Sequence, residues 1–369
     1  MKDKIHRFID CYVPVTTCTL RCSYCYITQH RLFKKTPVNL KYTPEEVASA
    51  LSKERLGGPC LINFCAGGET LLVPRLIEYI RALLEEGHYV MIVTNATIDK
   101  RIDEFSNFPK ELLERLFFKF SYHYLELKER KLLDKFFSNI KKVWEAGASF
   151  TLEVTPHDEL IPFIDEMNEV AIQHVGAIPH ITIARDEYNP QKLPILTKLS
   201  NEKFYETWGK NKSEMLEFKK TIYEVPRKEF CYAGAWSFYL NLGSGIMTQC
   251  YKSAINQNIF EDINKPIDFT PIGCNCQEHH CYNGHAFLTL GDIPELQTMT
   301  YAELRNRKTV FNKEWLSPQM KSFMSSKLVE SNVELTSKEK KEINKQIKRK
   351  FLVKKSLYRI NKAINLFRK

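Results

Sequence analysis

The chain has 369 residues, 54 Lys+Arg against 44 Asp+Glu, and a formal charge of +10. Thirteen basic residues and only two acidic ones, Glu339 and Glu342, fall between Ser337 and Lys369, so this tail carries +11 and the other 336 residues carry −1. A charge confined to one terminal segment argues against a body that coats nucleic acid, and 43% hydrophobic content argues against a mainly disordered chain.

The longest apolar runs, such as Tyr89-Val90-Met91-Ile92-Val93, are strand-sized and far short of the ~20 residues of a bilayer-crossing helix. The opening MKDKIHRFIDCYVPV lacks a long apolar core followed by small residues, so no signal peptide is read and a cytoplasmic location is expected. Eleven cysteines in such a setting suggest metal binding more than disulfides.

The first predicted strand, Phe8–Val15, leads directly into Cys18-Thr-Leu-Arg-Cys22-Ser-Tyr-Cys25. Three thiolates do not close a tetrahedral structural zinc site. On a 4Fe–4S cluster they leave one iron open to an outside ligand. A helix-like stretch, Pro44–Leu56, follows, with Thr43 as N-cap and proline at its first position. The second strand, Cys60–Cys65, ends in Cys65-Ala-Gly67-Gly68-Glu69-Thr70. The two glycines let backbone approach a ligand, and Glu69 offers an acceptor for an ammonium group.

After the helix Val73–Glu86, the third strand, Tyr89–Asn95, ends Thr94-Asn95-Ala96-Thr97. A short helix Glu111–Leu116 precedes the fourth strand, Phe117–His123. Period-two alternation there puts Lys119, Ser121 and His123 on one face and Phe118, Phe120 and Tyr122 on the other. Past the helix Lys131–Ala146, the fifth strand, Phe150–Thr155, sets Thr151, Glu153 and Thr155 opposite Leu152 and Val154. Past Glu159–His174, the sixth, Ile178–Ala184, sets His180 and Thr182 opposite Ile181 and Ile183, with Arg185 at its end. Gly87 and Gly147 stand where helices need a left-handed C-terminal residue. Six strands alternating with helices predict an α/β fold, an open partial (β/α)6 barrel of TIM type with a polar lumen. His123 and Glu153 are the candidates there for substrate contact or proton transfer.

Near residue 190 the composition changes. The two prolines of YNPQKLPILTKLS suit a linker, and a helix-like run extends to about Ile222. Residues 226–291 hold Cys231, Cys250, Cys274, Cys276 and Cys281 with little helical periodicity, which predicts a loop-rich module held by metal rather than by a large core. His279, His280 and His285 keep a zinc alternative open. Cys11, Cys60 and Cys65 read as small core hydrophobes within strands.

The tail begins with a capping box, Thr336 to Glu339. Its apolar residues recur at Ile343, Ile347 and Phe351, then at Val353, Leu357, Ile360, Ile364 and Phe367; the step from Phe351 to Val353 predicts a bend or two helices. A basic amphipathic helix of this kind suits an inner membrane surface or an acidic partner.

The C-x3-C-x2-C spacing with Tyr24 before the third cysteine, followed by Gly-Gly-Glu after the second strand, resembles the radical S-adenosylmethionine superfamily. The resemblance implies that Cys18, Cys22 and Cys25 bind a 4Fe–4S cluster whose open iron takes S-adenosylmethionine. By the same resemblance Tyr24 lies beside the adenine, Gly67, Gly68 and Glu69 bind the methionine amino group, and Asn95 belongs to a Thr-Asn-Gly-like element with Ala96 in place of glycine. Ser121 and Arg185 are the candidates for the carboxylate.

Cys231-x13-Gly245-x4-Cys250, followed by Cys274-x-Cys276-x4-Cys281, resembles the SPASM and twitch extensions that hold auxiliary iron–sulfur clusters. Too few cysteines follow for two clusters, and one 4Fe–4S cluster on Cys231, Cys250, Cys276 and Cys281 is expected, with Cys274 the alternative to Cys276. The chain then divides into a core at 1–190, a linker and helix at 191–225, the auxiliary module at 226–291, and a helical region with the basic tail at 292–369. The expected activity is reductive cleavage of S-adenosylmethionine and hydrogen abstraction, an oxidoreduction fed by a donor such as flavodoxin or ferredoxin. A sugar or glycan precursor is favoured as substrate because no peptide-recognition domain precedes Phe8, and a ribosomal peptide is the alternative. A binding protein with inert zinc or iron–sulfur, working through its tail, is the competing class.

Overall fold

The computed structural model describes residues 3–367. Among the described residues, nine strands form one sheet in the order β6-β5-β4-β3-β2-β1-β7-β8-β9. The first six are β1 (Arg7–Val13), β2 (Cys60–Ala66), β3 (Tyr89–Thr94), β4 (Leu116–Ser121), β5 (Ser149–Val154) and β6 (His180–Ile181). They pair in parallel and in chain order. Each is joined to the next through helices, as βαβ connectivity requires. The sheet does not close, and it is the expected open partial barrel.

The strands form where they were read, within about two residues, except the sixth. Only His180 and Ile181 are strand there. Pro179 lacks an N–H to enter the ladder, and beyond Ile181 one bond, Thr182 N–H to the Val154 carbonyl, continues the pairing. The stretch 44–56 is two helices, Pro44–Ala50 and Lys53–Leu56, because Ser52 caps a new start by accepting from the Arg55 N–H. Thr43 and Glu46 form a reciprocal capping box at the first. Two helices, Asp99–Ser106 and Tyr124–Glu129, escape the periodicity reading because each is barely two turns long.

Both faces of the sheet are buried, as in parallel sheets generally; all six residues of β5 are buried. On the outer face, Ile62, Phe64, Ile92, Phe118, Phe120 and Leu152 pack under the helices Leu76–Glu85 and Leu133–Ala146. On the inner face, Phe8, Leu61, Tyr89, Met91 and Phe117 pack on Phe287, Leu288, Tyr301, Met320 and Phe323. The C-terminal helices Gly284–Leu290, Tyr301–Arg305 and Pro318–Ser325 therefore plug the bottom of the barrel.

The segment after residue 226 departs most from expectation. β7 (Ser237–Asn241) pairs in parallel with β1, and β8 (Ile246–Thr248) and β9 (Asn256–Asn258) extend the same sheet antiparallel. The segment shares an apolar core with the barrel floor through Tyr232, Trp236, Ile272 and Leu288, so it has the apolar support that its sequence did not announce. Thr336 and Glu339 make the predicted capping box, but one helix, Ser337–Phe367, runs through without the predicted bend. Ile343 and Phe351 pack on the core that includes the module and Ile347 is buried, whereas Leu352, Val353 and Leu357 are exposed. The side chains of Ile360, Ile364 and Phe367 lie outside the described residues.

Candidate radical and auxiliary centres

The loop after β1 is fixed by backbone contacts to the turn after β2. Gly67 N–H donates to the Val13 carbonyl, Gly68 N–H to Val15 and Glu69 N–H to Thr17. A Cβ on Gly68 would lie 2.1 Å from the Thr17 carbonyl oxygen, so only glycine permits this approach. Within the loop, the Arg21 guanidinium donates to the Cys18 and Leu20 carbonyls and lies over Phe33. Thr28 Oγ1 donates to the Cys22 carbonyl.

Cys18, Cys22 and Cys25 line one cleft together with Gly67, Gly68, Glu69, Asn95, Ser121 and His123. Glu69 is buried, and its carboxylate accepts from Leu71 N–H at 2.8 Å, Thr94 Oγ1 at 2.6 Å and Asn95 N–H at 2.8 Å. Burial pushes its pKa up and these donors draw it back. Asn95 Nδ2 donates to Thr19 Oγ1 at 3.0 Å and approaches Cys18 Sγ at 3.8 Å, which ties the end of β3 to the cysteine loop. Tyr24 stands behind the cleft: its hydroxyl meets His123 Nδ1 at 2.6 Å and its ring lies on His157. Burial holds His123 down to about 4, a neutral imidazole at pH 7.

Deeper in the barrel, a cavity of about 240 Å³ lies between the upper strands and the C-terminal module. Strand alternation supplies Asp10, Asn63, Cys65, Val93 and Lys119 from the sheet; Thr182, Arg185 and Lys219 come from beyond β5. The module contributes Tyr251, Cys281, Tyr282, Asn283 and His285. Asp10 is held across this gap by Asn63 Nδ2, the Tyr251 hydroxyl and Asn283 Nδ2 at 2.9, 2.8 and 3.0 Å. Glu153 does not line the cavity; it is locked between Lys119, at 3.0 Å, and Arg305. Its carboxylate bridges those two cations. Arg185 lines this cavity rather than the cysteine cleft, whereas Ser121 lines the cleft.

The module's own pocket is lined by Cys231, Cys250, Cys276 and Cys281 among Ile272, Phe287, Leu288 and Ile293. Burial raises the pKa of all four thiols. Cys274 stays outside: it is exposed, and Asn344 binds its N–H and its sulfur. No histidine enters the pocket; His280 lies on Tyr223, and His285 faces the central cavity. Cys11 and Cys60 are core residues, as expected, while Cys65 lines the cavity.

The donor sets fit iron–sulfur chemistry. All eleven thiols are free, three face a cleft with no fourth thiol, and four share an apolar pocket. As the side chains stand, no group of three or more His, Cys, Asp or Glu among the described residues is placed to hold a metal ion. Sequence reasoning missed Lys219, Tyr251, Asn283 and Arg305, which reach the cavity from segments without a strand pattern; a buried lysine or arginine in a helix is invisible when only spacing is read.

Residues 12–146 match the family model described as Radical SAM superfamily. No curated protein matches the chain. Among solved structures, the chain is similar to Streptococcus suis SuiB bound to S-adenosylmethionine, with 15% identity, coverage of 72% of this chain and 66% of that one, and a TM-score of 0.45. A second SuiB structure, bound to its precursor peptide SuiA, has 13% identity, coverage of 72% and 65%, and a TM-score of 0.48. Native anSMEcpe with bound AdoMet has 14% identity, covers 97% and 100%, and has a TM-score of 0.46. The chain thus spans about two thirds of the SuiB length. The cysteine loop and the glycine turn locked to it both lie within residues 12–146, the part of the chain that matches the radical SAM superfamily.

Proposed function

We propose that this protein reductively cleaves S-adenosylmethionine and abstracts a hydrogen atom from a compact polar substrate held in the central cavity. One observation carries the reading. The three sites form a continuous series, with Val93 lining both the three-cysteine cleft and the cavity, and Cys281 lining both the cavity and the four-cysteine pocket. A substrate in the cavity lies between the two cysteine sets.

Cys18, Cys22 and Cys25 would hold a 4Fe–4S cluster, and Cys231, Cys250, Cys276 and Cys281 an auxiliary one. When bound, the first cluster with S-adenosylmethionine supplies the hydrogen-abstracting radical, and the second supplies a path for electrons. The chain's own residues do the rest. Gly67 and Gly68 keep backbone close to the cofactor's methionine end, Glu69 presents its carboxylate there, and Asn95 and Ser121 complete the wall. The tyrosines and fixed polar groups of the cavity orient substrate, and the plug beneath excludes water from below. Four thiols around the auxiliary pocket leave no open position for substrate, which favours electron transfer over substrate ligation. A flavodoxin or ferredoxin is the donor class this chemistry needs.

Anaerobic reconstitution tests the reading. The expected result is about eight irons per chain and 5′-deoxyadenosine on reduction with S-adenosylmethionine. Iron near zero, or zinc in its place, would support the competing class of a non-catalytic binding protein.

A further inference from the structure

Lys219 is the buried amine the proposed function leaves without a task. It sits in the helix Glu214–Ile222, is 91% removed from solvent (9% exposed), and lines the central cavity. Its amine donates to Thr182 Oγ1 at 2.7 Å, which leaves two of three N–H groups for other partners. The other cations of the cavity wall have carboxylates: Lys119 and Arg305 share Glu153, and Arg185 lies 3.5 Å from Glu187. Among the described residues none lies within ion-pair distance of Lys219. Asp10, the remaining anion of the wall, is already occupied by three donors. A buried amine without a counter-ion is costly. Burial, and then Lys119 and Arg185, push Lys219 well below the ordinary lysine value. The cost falls when an anion enters the cavity.

The rest of the lining narrows the chemistry. Tyr223, Tyr251, Tyr282 and Tyr301 line the same cavity. Such side chains pair an apolar face with a polar edge, which suits a polyhydroxylated ring rather than an aliphatic chain.

We propose that the cavity binds a small polyhydroxylated substrate through an anionic group, a phosphate ester or a carboxylate, seated on Lys219 and Arg185. This rests on the cavity being the substrate site of the proposed radical enzyme. A charge-assisted hydrogen bond of this kind separates charged from neutral ligand by at least about tenfold.

The test uses the reconstituted full chain and isothermal titration with glucose 6-phosphate, glucuronate and glucose. At least one charged sugar is expected to bind about tenfold tighter than glucose, and which of them does so tells phosphate from carboxylate. Lys219→Met should erase the preference and Lys219→Arg should restore it, so loss of fold and loss of charge are separated. Equal binding of all three sugars, binding of none, or a preference that survives Lys219→Met would overturn the proposal. Formation of 5′-deoxyadenosine by the wild-type preparation without any sugar is measured alongside. Its absence would overturn the radical reading while leaving the anion result to stand or fall on its own.

Discussion

At the scale of single residues, the Thr-Asn-Ala-Thr element shows what a backbone requires. Ala96 has φ of 53°, the left-handed region in which a side chain is strained and glycine is not. Its conformation is held by the Thr94 hydroxyl, which accepts from Ala96 N–H, and by Asn139 Nδ2 on its carbonyl. Ala96→Gly should therefore raise stability by about 0.5–1 kcal/mol, the strain relieved less the extra freedom of the unfolded chain, read from denaturant midpoints.

His88 gives a pH-dependent counterpart. Its Nδ1 accepts from Cys60 N–H at 3.1 Å and its Nε2 meets the Leu51 carbonyl at 2.7 Å, so it is held as the neutral ring. Burial lowers its pKa to about 4. The folded protein then binds fewer protons than the unfolded between pH 6.5 and 4, and stability falls as pH drops through that window. The loss should approach about 3 kcal/mol at pH 4. His88→Gln should flatten that part of the profile in denaturant titrations at pH 7, 5.5 and 4.5.

At the scale of elements, the C-terminal helix does two jobs along its length. Its first half props the loop that carries Cys276: Asn344 Oδ1 accepts from Cys274 N–H at 2.8 Å, and Asn275 Nδ2 reaches Asn344. Ile347 is fully buried nearby. Its second half turns Leu352, Val353 and Leu357 to solvent, each more than half exposed, among the lysines of the tail. Ending the chain at Phe351 should keep about eight irons, and ending it at Thr336 should lose about four. The same two truncations bear on the surface role expected of the tail: loss of anionic-vesicle sedimentation should already be complete in the chain ending at Phe351. The cysteine loop of the module makes the matching prediction by substitution. Cys276→Ala should lose about four irons and Cys274→Ala none, measured by iron and sulfide assay.

At the scale of the whole molecule, the barrel was legible because its first five strands are short apolar runs followed by turn chemistry, and helix starts such as Thr43-Pro44 announce themselves. The three-cysteine loop and the Gly-Gly-Glu turn were legible for a different reason: residues near in sequence already share the site. What spacing could not show was assembly. Nothing in Ser237–Asn241 says that it will pair with β1, a contact across more than 220 residues, nor that the Gly284–Leu290 and Tyr301–Arg305 helices will plug the barrel floor. That Cys276 lines the four-cysteine pocket while Cys274 is held outside by Asn344, 70 residues away, is not visible in spacing, and Lys219 reached the cavity from a helix whose pattern marks only an amphipathic stretch.

The central claim is that the loop Cys18–Cys25 is a radical-generating site. The most direct measurement is 5′-deoxyadenosine release from anaerobically reconstituted, reduced protein given S-adenosylmethionine, beside a variant with Cys18, Cys22 and Cys25 all changed to alanine. The account predicts release by the wild type, and from the variant no release with about four irons retained in the auxiliary pocket. Equal release from both proteins, or none from a wild type carrying about eight irons, would contradict it.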